Sequence, residues 1–564
     1  MTFDPNDPAI LEEQIKRKIS ELRVKTEEDG AKRLADKSGF PYLNLFFTPV
    51  DPEAINVVDE ARAREAGMAV IQKYDKKLKV ATKDPLNSNV KKISDELTSK
   101  GYLPDLVVVS QRSLEKAYSY YQKASAKAGL SGATNVSTEK FKLYEEKIKK
   151  MIDVAPLLKE AELIGTAEVL ELILGAALSL GTSDVHIESE EKDGKLRYRL
   201  DGMLYDVGFL DIRVTKSLML RLKLISGLKI NVTEEPQDGR FSIKLGDITI
   251  EIRTSILPGP NGENAVLRVL HPKAIAVTLD QLGFQEWDFK IMMEEIEKPD
   301  GMIMVTGPTG SGKTTTLYSI MRKMNTSYVK IITLEDPVEY HVTGLEQVQI
   351  DSERGLTFAS GLRSILRQDP DVILVGELRD HETVETALHA ALTGHLVLTT
   401  MHTNDSAGTI PRLVDVGANP SIIAPAVNLA IAQRLVRKVC SFCGIKTAIT
   451  PEELVIIKKE LEHVSVRVDM TKIPKIDESL MLSRPKGCEK CNDTGYKGRL
   501  GLFEVFTIDN EVKEFILKSP SHTQLEEIAL KKGTVTMRQD GFLKVAQGVT
   551  DIAEIHRMLG KIYY

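Results

Sequence analysis

The segment Gly307-Pro308-Thr309-Gly310-Ser311-Gly312-Lys313-Thr314 leaves the chain few choices. It must pass from a strand into a helix through a glycine loop. The apolar run Met302 to Val305 precedes it, and Leu317, Ile320, Met321 and Met324 follow at helical spacing. That is the strand–loop–helix context the pattern G-x-x-x-x-G-K-[ST] requires. The glycines let several backbone N–H groups converge on one anion, and the helix N-terminus adds its positive dipole end. Phosphate binding is therefore expected along Gly307, Pro308, Thr309, Gly310, Ser311, Gly312, Lys313, Thr314 and Thr315. Lys313 is expected to reach the β- and γ-phosphates of a nucleoside triphosphate, and the Thr314 hydroxyl to ligate Mg²⁺. The flanking strand and helix set aside a mere glycine turn capping a core helix.

At 564 residues the chain exceeds a single core, so roughly two to four domains are expected. A hydrophobic content of 42% with 28% charged residues describes a folded chain rather than a disordered one. The net charge of −6 argues against attraction of the whole surface to nucleic acid or anionic lipid. No apolar run reaches the ~18 residues of a membrane span. The start, MTFDPNDPAILEEQ, lacks the basic and apolar regions of a secretory signal. A cytoplasmic location is expected, and its reducing conditions make the four cysteines metal ligands rather than disulfides.

Three regions are expected, at 1–153, 154–275 and 276–564. The first opens with an amphipathic helix over 8–28, carrying Ile10, Ile15, Ile19 and Leu22, and includes a buried strand at Leu106 to Val109. A linker rich in Ala, Ser and Gly follows at 124–135. The second begins with a helix from Ala161 to Leu180 and turns to strands. Its clearest element is a hairpin about Gly246-Asp247. Leu245 faces Ile248, Ile243 faces Ile250 and Phe241 faces Ile252, placing all six on one buried face. That register sets Arg240 opposite Arg253, a destabilising pair in isolation. Either an anion lies between them or the face is solvated and relieved by Glu251; the hairpin alone leaves both open. From 276 strands at 302–305, 331–334, 372–375 and 396–399 alternate with helices at 314–325, 359–368, 382–393 and 405–416, as in a mostly parallel α/β sheet.

Acidic boxes end two of those strands. ITLEDPVEY carries Glu335, Asp336 and Glu339, and DVILVGELRD carries Glu377. Carboxylates there lie on the edge where open α/β sheets place ligands, so Glu377 first and Glu335 second are candidates to activate water. His395 and His402 flank LVLTT, and each could hydrogen-bond a terminal phosphate, His402 being the better placed. Cys440, Cys443, Cys488 and Cys491 form two Cys-x-x-Cys knuckles, which points to a closed, structural Zn²⁺ site. Arg434, Arg437, Lys438, Lys490, Lys497 and Arg499 are near enough in sequence to offset its negative charge.

These motifs in this order resemble the secretion ATPase superfamily, specifically the type II secretion and type IV pilus extension ATPases. The resemblance runs from about 160 to 564 and includes SDVHIE (183–188), RYRLDG (197–202), PQDGR (236–240), GPTGSGKT, EDPVEY, GELRD, TGHLVLTTMHTND (393–405), AQRLVRKVC (432–440) and CEKCNDTGYKGRLGLFEV (488–505). It implies a RecA-like C-terminal ATPase domain with a zinc element at 436–505, a smaller α/β domain before it, and an α+β N-terminal accessory domain. It also implies a homohexamer at the cytoplasmic face of the inner membrane that works on a platform protein, and through it on pilin or pseudopilin. In such proteins the smaller domain supplies arginines to nucleotide, which favours Arg240, Arg253 and Arg268 as phosphate contacts. Rotation about the linker near 271–280 is expected to convert hydrolysis into motion. Retraction ATPases share the resemblance without the long N-terminal region or the zinc knuckles.

Three departures qualify the resemblance. Thr233, Glu234 and Glu235 stand where basic residues commonly precede PQDGR. The spacing between knuckles implies an insertion around 446–480. No arginine-led RLG repeat appears, so cyclic di-GMP is not an expected ligand. The rival reading, a RecA-like nucleic-acid motor with a zinc ribbon, calls for a basic, aromatic strip that a net charge of −6 and 5% aromatics do not offer.

Overall fold

Strands buried on both faces shape the C-terminal half. The computed structural model describes residues 25–48, 50–74, 76–125, 133–134, 138–246, 248–272 and 277–562. The chain divides between Val269 and Leu270 into two compact units. In the second, Gly301–Thr306, Ile331–Glu335, Val372–Val375 and Leu396–Met401 are buried throughout. Met302, Met304, Ile332, Leu334, Ile373 and Val375 enter one apolar cluster, while Ile303, Val305, Ile331, Leu374 and Leu398 enter another. Alternation sends neighbours to opposite faces, so a doubly covered strand reads as one apolar run.

The sheet of this unit has seven strands, ordered Glu346–Gln349, Ile331–Glu335, Val372–Val375, Leu396–Met401, Gly301–Thr306, Val427–Val439 and Tyr496–Thr507. The first six run parallel and the last is antiparallel to its neighbour. All parallel strands thus end on one edge, where their loops converge. The expected helices are Lys313–Met324, Phe358–Ile365, His381–Leu392 and Thr409–Asp415. The last starts at Thr409 rather than 405, after a turn in which the Asp405 carboxylate takes the Gly408 N–H at 2.8 Å and the Ser406 carbonyl takes the Thr409 N–H at 3.3 Å. Residues 440–495 leave between the last two strands. Within them the strands Ile445–Ala448 and Met481–Arg484 pair, the helix Pro451–Glu460 lies between, and Ile449, Leu454, Ile457 and Leu482 share a core with Phe542 and Ile555.

The first unit holds two cores. One surrounds a three-stranded sheet of Met68–Tyr74, Lys77–Thr82 and Leu103–Val108. The other lies under a seven-stranded sheet ordered Ala133–Thr134, Gln237–Leu245, Ile248–Gly259, Gly262–Leu270, Asp184–Ser189, Asp193–Leu200 and Met203–Asp211. The 8–24 part of the expected first helix, most of the 124–135 linker, Asp247 and residues 273–276 lie outside the described residues. The helix Thr138–Lys147 falls before the expected boundary at 153 but packs with the second core: Lys140 bonds Glu168 and Glu171, and Tyr144 lies against Gly175.

Two local expectations are corrected. The helix expected from Ala161 to Leu180 is two helices, Val154–Ile164 and Thr166–Leu180. They are separated at Gly165 (φ 144°), where a Cβ would come 2.8 Å from the Phe46 carbonyl oxygen. The hairpin has the expected register, Arg240 opposite Arg253 included. Only Phe241, Ile243, Ile250 and Ile252 are buried and enter the core, however; Leu245 is half-buried and Ile248 exposed, so burial fades toward the turn.

Glu554, on the helix Ile552–Leu559, joins the C-terminus to the sheet. It takes the Arg437 N–H at 3.0 Å, the Arg437 Nη2 at 2.8 Å and the Arg557 Nη2 at 2.6 Å. Burial alone would raise its pKa, but the bonds from Arg557 and Arg437 hold it down at about 2, against an ordinary 4.5. A depressed carboxylate contributes stability that is complete above its unfolded pKa and lost as pH falls through the folded one. The C-terminal unit is therefore expected to lose stability between about pH 4.5 and 2. Glu554→Gln should flatten that limb and cost about 3–5 kcal/mol at neutral pH, as breaking a buried pair does; denaturant melts across pH read both.

Candidate active site and metal centre

Gly307 leaves the central strand where no side chain fits. Its φ is 147°, and a Cβ would lie 2.5 Å from the Gln433 carbonyl oxygen and 2.7 Å from Ser311 Oγ. At Gly312 (φ 90°) a Cβ would meet Gln433 Nε2 at 2.9 Å. Gln433 is buried on the adjacent strand, and its Oε1 takes the Thr316 hydroxyl at 2.8 Å, fixing the first turn of the helix. Pro308, Thr309 and Gly310 form the exposed crown of the loop, and Lys313, Thr314 and Thr315 open the helix half-buried. Ser311 Oγ is buried and finds no hydrogen-bond partner among the described residues. Lys313 Nζ folds onto the loop, donating to the Gly307 carbonyl at 2.8 Å and the Pro308 carbonyl at 3.1 Å. A glycine cradle, an unpartnered hydroxyl and a lysine at a helix N-terminus fit a polyphosphate chain.

Glu377 follows the strand Val372–Val375 through Gly376, whose N–H bonds the Leu334 carbonyl and whose carbonyl takes the Thr400 hydroxyl. Its carboxylate is paired with Arg379 at 2.5 Å and lies 3.8 Å from His402 Nε2. Burial and the nearby Lys313 hold the His402 pKa below the usual value, with Glu377 opposing, which favours a neutral imidazole. Burial likewise lowers the Lys313 pKa; Glu377 and Glu339 offset this, and Arg434 adds to it. Thr403 ties the histidine loop to the central strand, its N–H donating to Thr306 Oγ1 at 2.7 Å. Lys313, Glu377 and His402 thus meet at one sheet edge.

Glu335 is different. It is buried, takes Tyr318 Oη at 2.5 Å and Thr333 Oγ1 at 2.7 Å, and receives Gln347 Nε2 at 3.3 Å. Its oxygens are engaged by side chains of its own sheet and the loop helix, which ranks it behind Glu377 as a base. His395 is corrected outright. It precedes the strand whose far end carries His402, and its Nδ1 lies 3.1 Å from the Ala390 carbonyl. Parallel pairing with Gly301–Thr306 puts it on the edge away from the loop.

In the first unit, Arg240, Arg253 and Arg268 sit on three adjacent strands, on the face turned from the core. Arg240 is exposed. Arg253 Nε stands 4.0 Å from Glu251, and Arg268 Nε pairs with Asp184 at 3.0 Å. The face carries anion-seeking charge with partial relief from Glu251 and Asp184.

The four cysteine sulfurs lie within 4.8 Å of one another, with Cys440–Cys488 at 4.0 Å, Cys443–Cys491 at 3.8 Å and Cys488–Cys491 at 3.7 Å. Thiolates about 2.3 Å from one tetrahedral Zn²⁺ stand about 3.8 Å apart. The spacing is thus compatible with zinc. Backbone N–H groups of Gly487, Cys488 and Gly495 point at the sulfurs from 3.2 to 3.3 Å, the outer bonds that stabilise thiolates. The expected charge-offsetting set is partly corrected: Arg437 turns to Glu554, and Arg434 lies beside Gly307. The sequence assigned no role at the nucleotide site to Arg379, Gln433 or Arg434. The signals were there, in GELRD and AQRLVRKVC, but strand direction was needed to aim them.

The expected metal content is about one zinc per chain by elemental analysis. Cys488→Ser should abolish it and loosen 436–505 in hydrogen exchange; metal-free wild-type protein with all four thiols intact would reject the site.

A family model described as type II/IV secretion system protein matches residues 159–557, and one described as MshEN domain matches 38–128. The type IV pilus assembly ATPase PilB of Myxococcus xanthus is 36% identical over 558 residues, covering 96% of this chain and 94% of that protein. Type II secretion system protein E of Pseudomonas aeruginosa is 40% identical over 413 residues, covering 73% of this chain and 77% of its own length. Among solved structures, the Legionella pneumophila ATPase DotB superposes with a TM-score of 0.50 at 24% identity, over 69% of this chain and 94% of that one, a likeness of fold.

Proposed function

The chain belongs to the type II/IV secretion system protein family, and on that premise we propose that it is an ATP-hydrolysing hexameric motor for type IV pilus extension or type II pseudopilus assembly. Its seat is then the cytoplasmic face of the inner membrane, where it acts on a platform protein and, through it, on pilin or pseudopilin. None of its described helices is long and apolar enough to cross a membrane, so attachment would pass through such partners. The observation that carries the reading is the convergence of Lys313, Glu377 and His402 at the start of the glycine loop.

In this reading the loop amides and Lys313 hold the triphosphate, and Lys313 exchanges its two loop carbonyls for phosphate oxygens. Mg²⁺, held through Thr314, would neutralise charge on the phosphates. Glu377 orients and deprotonates the attacking water, and Arg379 holds the carboxylate in place until then. His402, neutral and near Glu377, hydrogen-bonds the terminal phosphate. Arg240, Arg253 and Arg268 offer further cations for the charge that develops in transfer. The four clustered cysteines would hold Zn²⁺, which would fill a closed structural role there.

Lys313→Ala should abolish Mg·ATP binding in calorimetry. Glu377→Gln should keep binding and lose turnover by about 100-fold or more, the scale of a general base; wild-type turnover in that variant would remove the assignment. Arg253→Ala should lower turnover by at least about tenfold with an unchanged melting temperature. Unaltered activity would return Arg253 to a solvated face. Stimulation of phosphate release by the platform protein's cytoplasmic domain, and not by single-stranded DNA, is expected; the reverse would favour a nucleic-acid motor.

A further inference from the structure

Arg434 lies on the strand Val427–Val439, which flanks the glycine-loop strand on the side opposite Leu396–Met401 and its histidine loop. Its guanidinium reaches back to the loop. A Cβ on Gly307 would come within 3.1 Å of Arg434 Nη1. Nη1 donates to the Gln433 carbonyl at 3.1 Å, and Nη2 meets the carbonyl and side-chain oxygens of Asn404 at 3.4 Å each, near the limit of a hydrogen bond. These are neutral acceptors, and they leave much of a five-donor fork unused.

No carboxylate forms an ion pair with Arg434 among the described residues. Asp405 and Glu504 are the acids whose fields reach it, and both are committed elsewhere. Asp405 takes His522 Nε2 at 2.9 Å and the Gly408 N–H at 2.8 Å. Glu504 is buried and takes Ser406 Oγ at 2.7 Å and the Met537 N–H at 3.2 Å. Burial lowers the Arg434 pKa, so the charge is costly where it stands. It also lies close enough to Lys313 to disfavour that residue's charge. Two cations held together in a partly buried place, one without a counter-ion, are rare unless an anion joins them. Lys313, His402 and Arg434 all border Gly307, which makes the shared anion the end of the phosphate chain rather than its base.

We infer that Arg434 is a further phosphate-contacting cation of the nucleotide site, supplied by the same subunit that supplies the glycine loop and directed at the terminal phosphate. This rests on the ATPase reading above. Arg434 complements Lys313 from the other flank of the central strand. A planar fork there can bind two phosphate oxygens at once, which a lysine cannot.

The test compares wild type, Arg434→Gln, Arg434→Lys and Asn404→Ala by calorimetry with Mg·ATP and Mg·ADP, by steady-state phosphate release, and by thermal melting. Arg434→Gln is expected to bind ATP about tenfold more weakly, to bind ADP within twofold of wild type, and to lose about 100-fold in kcat with an unchanged melt. Arg434→Lys should recover part of kcat, and Asn404→Ala should stay near wild type. Equal losses for ATP and ADP, or Asn404→Ala matching Arg434→Gln, would make Arg434 a loop clamp and overturn the inference. So would turnover within twofold of wild type in Arg434→Gln. Wild-type protein that melts normally but gives no heat with Mg·ATP would defeat the ATPase reading itself, and this inference with it.

Discussion

Gly307 has room for a hydrogen and nothing larger, and the nucleotide site depends on that. The Gln433 carbonyl fills the space where a side chain would begin. Such close approach fixes where the loop leaves the strand, and so where Lys313 and Thr314 enter their helix. It also brings the neighbouring strand's Gln433 and Arg434 against the loop. A larger residue would have to push apart two strands paired from Met302 to Thr306. Their side chains are buried on both faces, so the displacement would open the core.

What could be read from the chain alone follows from how local each signal was. The loop motif carries its own context within about 25 residues, and the hairpin register follows from its turn length. Doubly buried strands announce themselves as short apolar runs. The cysteine centre needed only the pairing of two Cys-x-x-Cys knuckles, a spacing that itself points to one metal. Where hairpin burial ends is tertiary information: Ile248 follows the alternation and still lies in solvent.

Direction was the information the sequence withheld. His395 and His402 flank one strand symmetrically, yet a parallel strand has one functional end, and only His402 is on it. Arg434 and Arg437 stand three residues apart before Cys440, which made both look like partners of the cysteines. Alternation along an extended strand sends one to the glycine loop and the other to Glu554 on the final helix. Glu335, the second candidate base, ends its strand and stays behind Glu377. Its strength as a hydrogen-bond acceptor is spent on Tyr318 and Thr333, contacts invisible until the helix packs on the sheet.

One strand links the cysteine centre to the nucleotide site. Val427–Val439 carries Gln433 and Arg434 in its middle and leads directly into Cys440, about 20–23 Å further on at the rise of an extended chain. Its partner Tyr496–Thr507 begins just after Cys491, and the Cys440 N–H bonds the Gly495 carbonyl at 2.9 Å. The sulfurs therefore join the two strands where the 440–495 excursion departs, much as a turn closes a hairpin. The middle of the strand is secured differently. Val305 pairs with Ile431 and Thr306 with Ala432, immediately before Gln433. A metal at the cysteines would thus confine the excursion, while parallel pairing with the central strand sets the position of Gln433 and Arg434. The two sites share a strand but have separate anchors, so loosening the knuckles need not displace the loop.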